Sequence, residues 1–207
     1  MALHDPTHLF EGEISDSTRR RARIISVVTQ PQVFSLVLYA IVCLIISDLV
    51  TYLEIYGLCV FFGCIFPIIE VLYYSKKFAN KDGDIVKKED RFMPLLLGTI
   101  SYVLGVVALW AASAPWLLTV LFVAYSVVTF SIMLISPYWK ISIHACGMIG
   151  PTMAITYVFF PWGALLLILV PFICWSRYVL RKHTPAQMVG GIVLGFVETA
   201  IIMAVLL

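Results

Sequence analysis

The fold of this chain is decided by residues 93–136, which lie within its longest uncharged stretch and read MPLLLGTISYVLGVVALWAASAPWLLTVLFVAYSVVTFSIMLIS. An α-helix needs about 20 mainly apolar residues to cross a bilayer, so this stretch is long enough for two crossings. Ala114-Pro115 separates them, because the residue before a proline disfavours the helical region. The stretch therefore predicts two membrane-spanning helices, 93–112 and 115–136, joined by a tight hairpin.

The whole chain has the composition of a membrane protein. Of its 207 residues, 61% are hydrophobic and only 13% are charged, against about 25% charged in a typical soluble domain. Such a chain has too few polar groups to cover the surface of a soluble fold, and it is too hydrophobic for disorder. It also has no basic soluble domain and no nucleic-acid recognition motif. We therefore predict that the chain contacts membrane lipid and does not bind nucleic acid.

Apolar segments recur along the chain, so the predicted fold class is an all-α, polytopic transmembrane bundle of about six to seven spans. Asp48 and Glu54 flank the predicted first turn, and residues 75–91 form a hydrophilic loop. We divide the chain into a cytoplasmic N-terminal segment, 1–31, and a transmembrane domain, 32–207. The seven candidate spans are 33–51, 55–75, 93–112, 115–136, 143–160, 162–180 and 187–207.

The positive charges predict the orientation in the membrane. With seven spans, all 14 Lys and Arg residues fall on one side of the membrane, and the opposite side has none. The positive-inside rule places the basic side in the cytoplasm, with the N-terminus inside. The expected location is therefore the cytoplasmic membrane. Residues 15–30, with Arg19, Arg20, Arg21 and Arg23, form either an interfacial helix on anionic headgroups or a solvated lead-in to the first span.

Two glycines and two carboxylates stand out within the predicted spans. Gly191 and Gly195 form a GxxxG pattern, which marks close helix packing either within this chain or in a homodimer. Glu70 lies near the basic end of the second span, where it would pair with a lysine of loop 76–92. Glu198 lies near the middle of the last span, where it is paired within the bundle or protonated. A binding role for either carboxylate is the alternative.

Three polar clusters sit at helix boundaries on the basic side, at residues 87–94, 140–147 and 176–187. Helix starts offer free N–H groups and a dipole that favours an anion. Arginine holds phosphate oxygens through its fork of donors. Of two histidines, one can attack phosphorus and the other can protonate the leaving oxygen. Alternatively, the cations are solvated or anchor the helices at the interface, and Gln187 completes a capping box with Thr184.

The clusters resemble the three motifs of the type 2 phosphatidic acid phosphatase superfamily, in particular a divergent bacterial and archaeal branch. The third motif matches best. Ser176-Arg177 is followed after five residues by His183, at the family's nucleophile position, and after three more by Gln187, where the family has Asp. The resemblance covers roughly residues 70–200 and implies an integral-membrane helix bundle that works through a phosphohistidine without a metal ion.

The other two motifs match less closely. In the second, Ser142 and His144 keep the family spacing, while Ile141 and Ile143 stand where Pro and Gly would be. In the first, Arg91 is separated from its proline by two residues, and the motif lysine is Lys87 or Lys88 at an altered spacing.

The resemblance implies roles for these residues. The predicted catalytic residues are His183, His144 and Gln187. The predicted phosphate-binding residues are Lys87, Lys88, Arg91, Lys140, Ser142 and Arg177. Gln187 would orient His183 but cannot supply the negative charge of the family's Asp.

Three functions are compatible with these motifs. The first is a metal-independent phosphatase for a lipid or isoprenoid phosphate, with no cofactor. The second is a phosphotransferase with the same site, in which an alcohol replaces water. The third is a non-catalytic relative that binds anionic lipid. A transporter is disfavoured, because the polar groups cluster at one membrane face and not at the midplane.

Overall fold

A computed structural model describes residues 3–78 and 89–207. Within these ranges the chain is helical and forms no strand, which confirms the predicted all-α fold. The helices are α1 (Asp16–Val28), α2 (Pro31–Val42), α3 (Leu49–Val60), α4 (Phe66–Phe78), α5 (Phe92–Ala111), α6 (Trp116–Ile135), α7 (Ile143–Gly147), α8 (Ile149–Val158), α9 (Leu169–Val179) and α10 (Pro185–Leu206).

Five helical segments of the described ranges are long and apolar enough to cross a membrane. A sixth crossing is counted only if α1 and α2, which meet at a bend of 47°, form one span. The expected span at 143–160 is a shorter apolar helix, Ile143–Val158. By length and composition, the described helices therefore supply five candidate spans, or up to six, which agrees with the lower end of the predicted six to seven. The five segments are Leu49–Tyr74, Phe92–Ala111, Trp116–Ile135, Trp162–Val179 and Pro185–Leu206.

The first boundary differs from the prediction because Asp48 caps a helix. Its carboxylate accepts hydrogen bonds from the Thr51 amide at 2.8 Å and the Thr51 hydroxyl at 2.7 Å. A capping carboxylate satisfies one of the free N–H groups at a helix start. The second span consequently begins at Leu49, and not at residue 55, so Glu54 lies inside α3 and does not flank the turn.

The GxxxG glycines of α10 pack against α7 of the same chain. A Cβ atom on Gly191 would lie 2.6 Å from the Ser142 carbonyl oxygen, and one on Gly195 would lie 2.9 Å from the Cys146 carbonyl oxygen. Both glycines are buried. Packing within the chain accounts for this motif, so a homodimer would have to use another surface of α10.

We expect Gly191→Ala to destabilise the protein by about 2 kcal/mol, because the added methyl group would push against a backbone carbonyl. Gly57→Ala is the matched control, since a Cβ atom there has nothing within 4 Å. The measurement is the midpoint of thermal unfolding in detergent. Equal midpoints for the two variants would show that the contact between α7 and α10 is not close-packed.

Candidate active site

Residues from all three polar clusters line one cavity of about 190 Å³. Arg91 precedes α5, His144 lies in α7, Arg177 lies near the end of α9, and His183 follows it before α10. The three clusters therefore lie together around one cavity, as the sequence predicts.

The backbone of residues 140–142, the second-cluster segment, ties the other two clusters together. The Lys140 carbonyl oxygen lies 3.1 Å from Nδ1 of His183. The Ile141 carbonyl accepts a hydrogen bond from Nη1 of Arg91 at 3.3 Å. The Ser142 amide donates to the Gln187 carbonyl at 3.1 Å. Main-chain carbonyls thus hold two of the side chains that line the cavity, those of Arg91 and His183.

The surroundings of His183 select its tautomer. Its Nδ1 faces two oxygen atoms, the Lys140 carbonyl and, at 3.3 Å, Oε1 of Gln187. The Thr184 amide also donates to this side-chain atom of Gln187 at 3.3 Å, which identifies it as the amide oxygen. Both neighbours are acceptors, so Nδ1 carries the proton. In the neutral ring Nε2 then keeps its lone pair, as a nucleophile requires.

The predicted capping box is confirmed at the start of α10. Thr184 Oγ1 accepts from the Gln187 amide at 3.3 Å, and Gln187 Oε1 accepts from the Thr184 amide. Gln187 therefore has both predicted contacts, one to the helix start and one to His183. The second contact follows from the first, because the box points the amide oxygen back toward the residue that precedes Thr184.

Burial and nearby cations keep the His183 ring neutral. The side chain is 1% exposed. Its pKa is lowered well below the usual value of 6.5, first by desolvation and then by the positive charges of Arg177, Arg91 and Lys140 and by His144. At neutral pH the imidazole therefore has an available lone pair.

This lowered pKa makes the stability of the fold depend on pH. Below about pH 6.5 the unfolded chain protonates this histidine while the folded chain does not, so stability falls as the pH drops toward the folded pKa. The slope is at most about 1.4 kcal/mol per pH unit. We expect a His183→Gln variant to lose less thermal stability than the wild type between about pH 7 and pH 5. Parallel curves would contradict the buried, neutral assignment.

The two arginines of the cavity are buried side chains. Arg91 is 6% exposed and Arg177 is 4% exposed. Arg177 Nη1 donates a hydrogen bond of 2.8 Å to the Ser26 hydroxyl of α1, which packs against α9. A guanidinium in a low-dielectric pocket interacts strongly with an anion that enters it. The charge and shape of this lining suit a phosphate group.

Of the other predicted residues, those that the structure describes do not line the cavity. Ser142 is fully buried, and its hydroxyl caps α7 by accepting from the Ala145 amide at 3.4 Å. Ser142, Lys140 and Gln187 are not among the residues that line the cavity. Lys87 and Lys88 lie outside the described residues. In this geometry the Ser142 hydroxyl holds the start of α7, and its phosphate-binding role stays a prediction.

The N-terminal segment contributes contacts that sequence reasoning missed. Asp5 Oδ2 accepts hydrogen bonds from the Thr184 hydroxyl at 2.6 Å and from Trp139 Nε1 at 3.1 Å. Thr7 Oγ1 accepts from the Ala186 amide at 3.2 Å, at the start of α10. The sequence Asp-x-Thr predicts a local turn, but it carries no signal for what that turn docks on.

These contacts set the charge of Asp5. Burial raises its pKa, but hydrogen bonds from Thr184, Thr7 and Trp139 outweigh burial and lower the pKa to about 2. Asp5 is therefore ionised at all physiological pH values. Asp5 contacts Thr184, which follows His183, and Trp139, which precedes Lys140. It therefore lies next to both residues of the contact between His183 and the Lys140 carbonyl.

Comparison with protein-family models, with curated proteins and with solved structures finds no match to this chain. Among residues 3–78 and 89–207, no group of three or more His, Cys, Asp or Glu side chains is arranged to hold a metal ion.

Proposed function

We propose that this protein is an integral-membrane phosphatase for a lipid or isoprenoid phosphate. One observation carries the proposal: two histidines and two buried arginines, from three separate parts of the chain, line the same cavity. Arginine is suited to the oxygens of phosphate, and a neutral imidazole is suited to attack on phosphorus. The resemblance of the three clusters to phosphatase motifs supports the same chemistry.

In the proposed first step, Nε2 of His183 attacks phosphorus in line with the ester bond. The N–P bond forms as the bond from phosphorus to the leaving oxygen breaks, and protonated His144 gives that oxygen its proton. Arg91 and Arg177 bind the phosphoryl oxygens, whose charge is spread over them in the transition state. The first products are phosphohistidine and the alcohol. When the substrate is a diphosphate, its monophosphate ester leaves in place of the alcohol.

In the second step, neutral His144 takes a proton from water as the water oxygen attacks phosphorus. The N–P bond breaks, and its electron pair returns to Nε2 of His183. Inorganic phosphate leaves, and both histidines regain their starting protonation. Through both steps, the Lys140 carbonyl and Gln187 hold the proton on Nδ1.

The test is phosphate release by the purified protein from phosphatidic acid, farnesyl phosphate and farnesyl diphosphate, with and without EDTA. We expect release from at least one of these esters at the same rate in both conditions. Release that EDTA abolishes would contradict the metal-independent mechanism. No release from any ester, by protein that is monodisperse and thermally stable, would reject the proposed activity.

We further propose that the site faces the cytoplasm, because the positive-inside rule places basic residues there and the three clusters of the site carry Arg91, Lys140 and Arg177. The test labels variants with one introduced cysteine, in intact cells, with a maleimide that does not cross the membrane. Glu11→Cys should stay unlabelled, and Ser113→Cys should be labelled. Both positions are exposed, and they lie near opposite ends of the bundle. A Cys174→Ser background removes the one native cysteine that is not fully buried. Labelling of Glu11→Cys in intact cells would reverse the orientation.

A further inference from the structure

Among the described residues that line the cavity, one has an acidic side chain, Glu70 of α4. Glu70 is 7% exposed, and within the described ranges its Oε1 has no hydrogen-bond partner. A buried polar atom without a partner costs free energy, and it usually marks the place of a water or ligand. The lysines that the sequence offers as partners, in loop 76–92, lie outside the described side chains.

Glu70 lies deeper in the bundle than the cationic end of the cavity. A Cβ atom built on Gly98 would lie 3.9 Å from Oε2 of Glu70. Gly98 follows Arg91 by two helical turns, which is about 11 Å along the axis of α5. Further lining residues with hydroxyl groups continue inward from this point: Tyr102, Tyr125, Thr129 and Thr199. The cavity thus has a cationic outer end and a polar inner end with a carboxyl group.

We propose that Glu70 is a second contact point for the ligand and that it binds a free hydroxyl group next to the phosphate. This inference rests on the proposed function and narrows its substrate class. The favoured substrate is then a phosphate ester of a polyol headgroup, such as a glycerol that keeps one hydroxyl, and not an ester whose phosphate is attached directly to a hydrocarbon chain.

The chemistry of the cavity favours a hydroxyl over the other groups that a phosphate ester can carry. A hydrocarbon chain at the inner end would leave the Glu70 carboxyl group buried and unsatisfied, which selects against it. An ammonium group would pair with Glu70, but it would share a small cavity with Arg91 and Arg177, whose charges repel it. A hydroxyl donates to the carboxyl group without adding charge.

The experiment compares two esters that differ by one oxygen atom, 1-oleoyl-glycerol 3-phosphate and its 2-deoxy analogue. For the wild type, we expect kcat/KM to be roughly 10- to 100-fold higher for the hydroxylated ester. Glu70→Met, which is similar in volume, should bring this ratio close to one by slowing only the hydroxylated ester. Glu198→Met is the matched control, since that carboxylate accepts from the Ser131 hydroxyl at 2.6 Å and does not line the cavity.

Equal rates for the two esters in the wild type would overturn the inference and leave the phosphatase proposal standing. An unchanged ratio in Glu70→Met would also overturn it. If Glu70→Met does not fold, Glu70→Gln replaces it, and the weaker acceptor should lower the ratio about threefold. If no ester is hydrolysed, the phosphatase proposal fails, and the Kd values of the matching pair of non-hydrolysable phosphonates decide the inference by the same ratio.

Discussion

Replacing His183 by alanine should lower phosphate release by at least about 1000-fold, because in the proposed mechanism its Nε2 is the atom that attacks phosphorus. The ring that is removed is held by the Lys140 carbonyl and by Gln187, and burial and nearby cations keep it neutral. The measurement is the initial rate of phosphate release at saturating substrate. Phosphohistidine is stable in base. A reaction quenched in base should therefore contain phosphate bound to the wild-type protein and none bound to the variant.

The control for this change is His8→Ala, since His8 is an exposed histidine of the N-terminal segment. Its rate should match the wild type. Because His183 is fully buried, each variant is first checked for a single symmetric peak in size-exclusion chromatography. A folded His183→Ala variant that keeps its rate would show that the nucleophile is another residue.

The second large effect is expected for Arg177→Lys, with a loss of roughly 100-fold, mainly in kcat. Lysine keeps the charge but lacks the fork of donors that holds two phosphoryl oxygens at once. It also loses the geometry of the bond to the Ser26 hydroxyl. Such a donor acts chiefly on the transition state, where charge builds up on the oxygens.

Arg181→Lys is the matched control for this experiment, because Arg181 is exposed and donates instead to the Gly12 carbonyl at 3.1 Å. We expect its kcat to stay within about twofold of the wild type. A loss confined to KM in Arg177→Lys would assign Arg177 to binding alone. A rate equal to that of Arg181→Lys would remove Arg177 from the site.

The sequence predicts the elements that follow from local chemistry. The long apolar runs predict the all-α bundle, and Thr184-Pro185 with Gln187 predicts the capping box at the start of α10. The number of spans is less exact, because composition alone does not distinguish a full span from the bent α1–α2 pair or from the shorter apolar helix Ile143–Val158.

The tertiary contacts of the site could not be predicted in the same way. Asp5 contacts Thr184 and Trp139 across long sequence separations, and its own neighbours have no apolar periodicity that would place it. Glu70 was recognised as an intramembrane carboxylate, but the cavity beside it depends on how α4 and α5 pack. The meeting of the three clusters was predicted from the alternation of spans, and the contacts of residues 140–142 were not.

These contacts of residues 140–142 bear on how such a site can change over evolution. The atoms that receive Arg91 and His183 are main-chain carbonyls, which every amino acid possesses. Substitutions at positions 140 and 141 therefore leave the acceptors in place, whereas a proline at position 142 would delete the amide that reaches Gln187. The side chains at positions 140 and 141 can therefore change while the geometry persists.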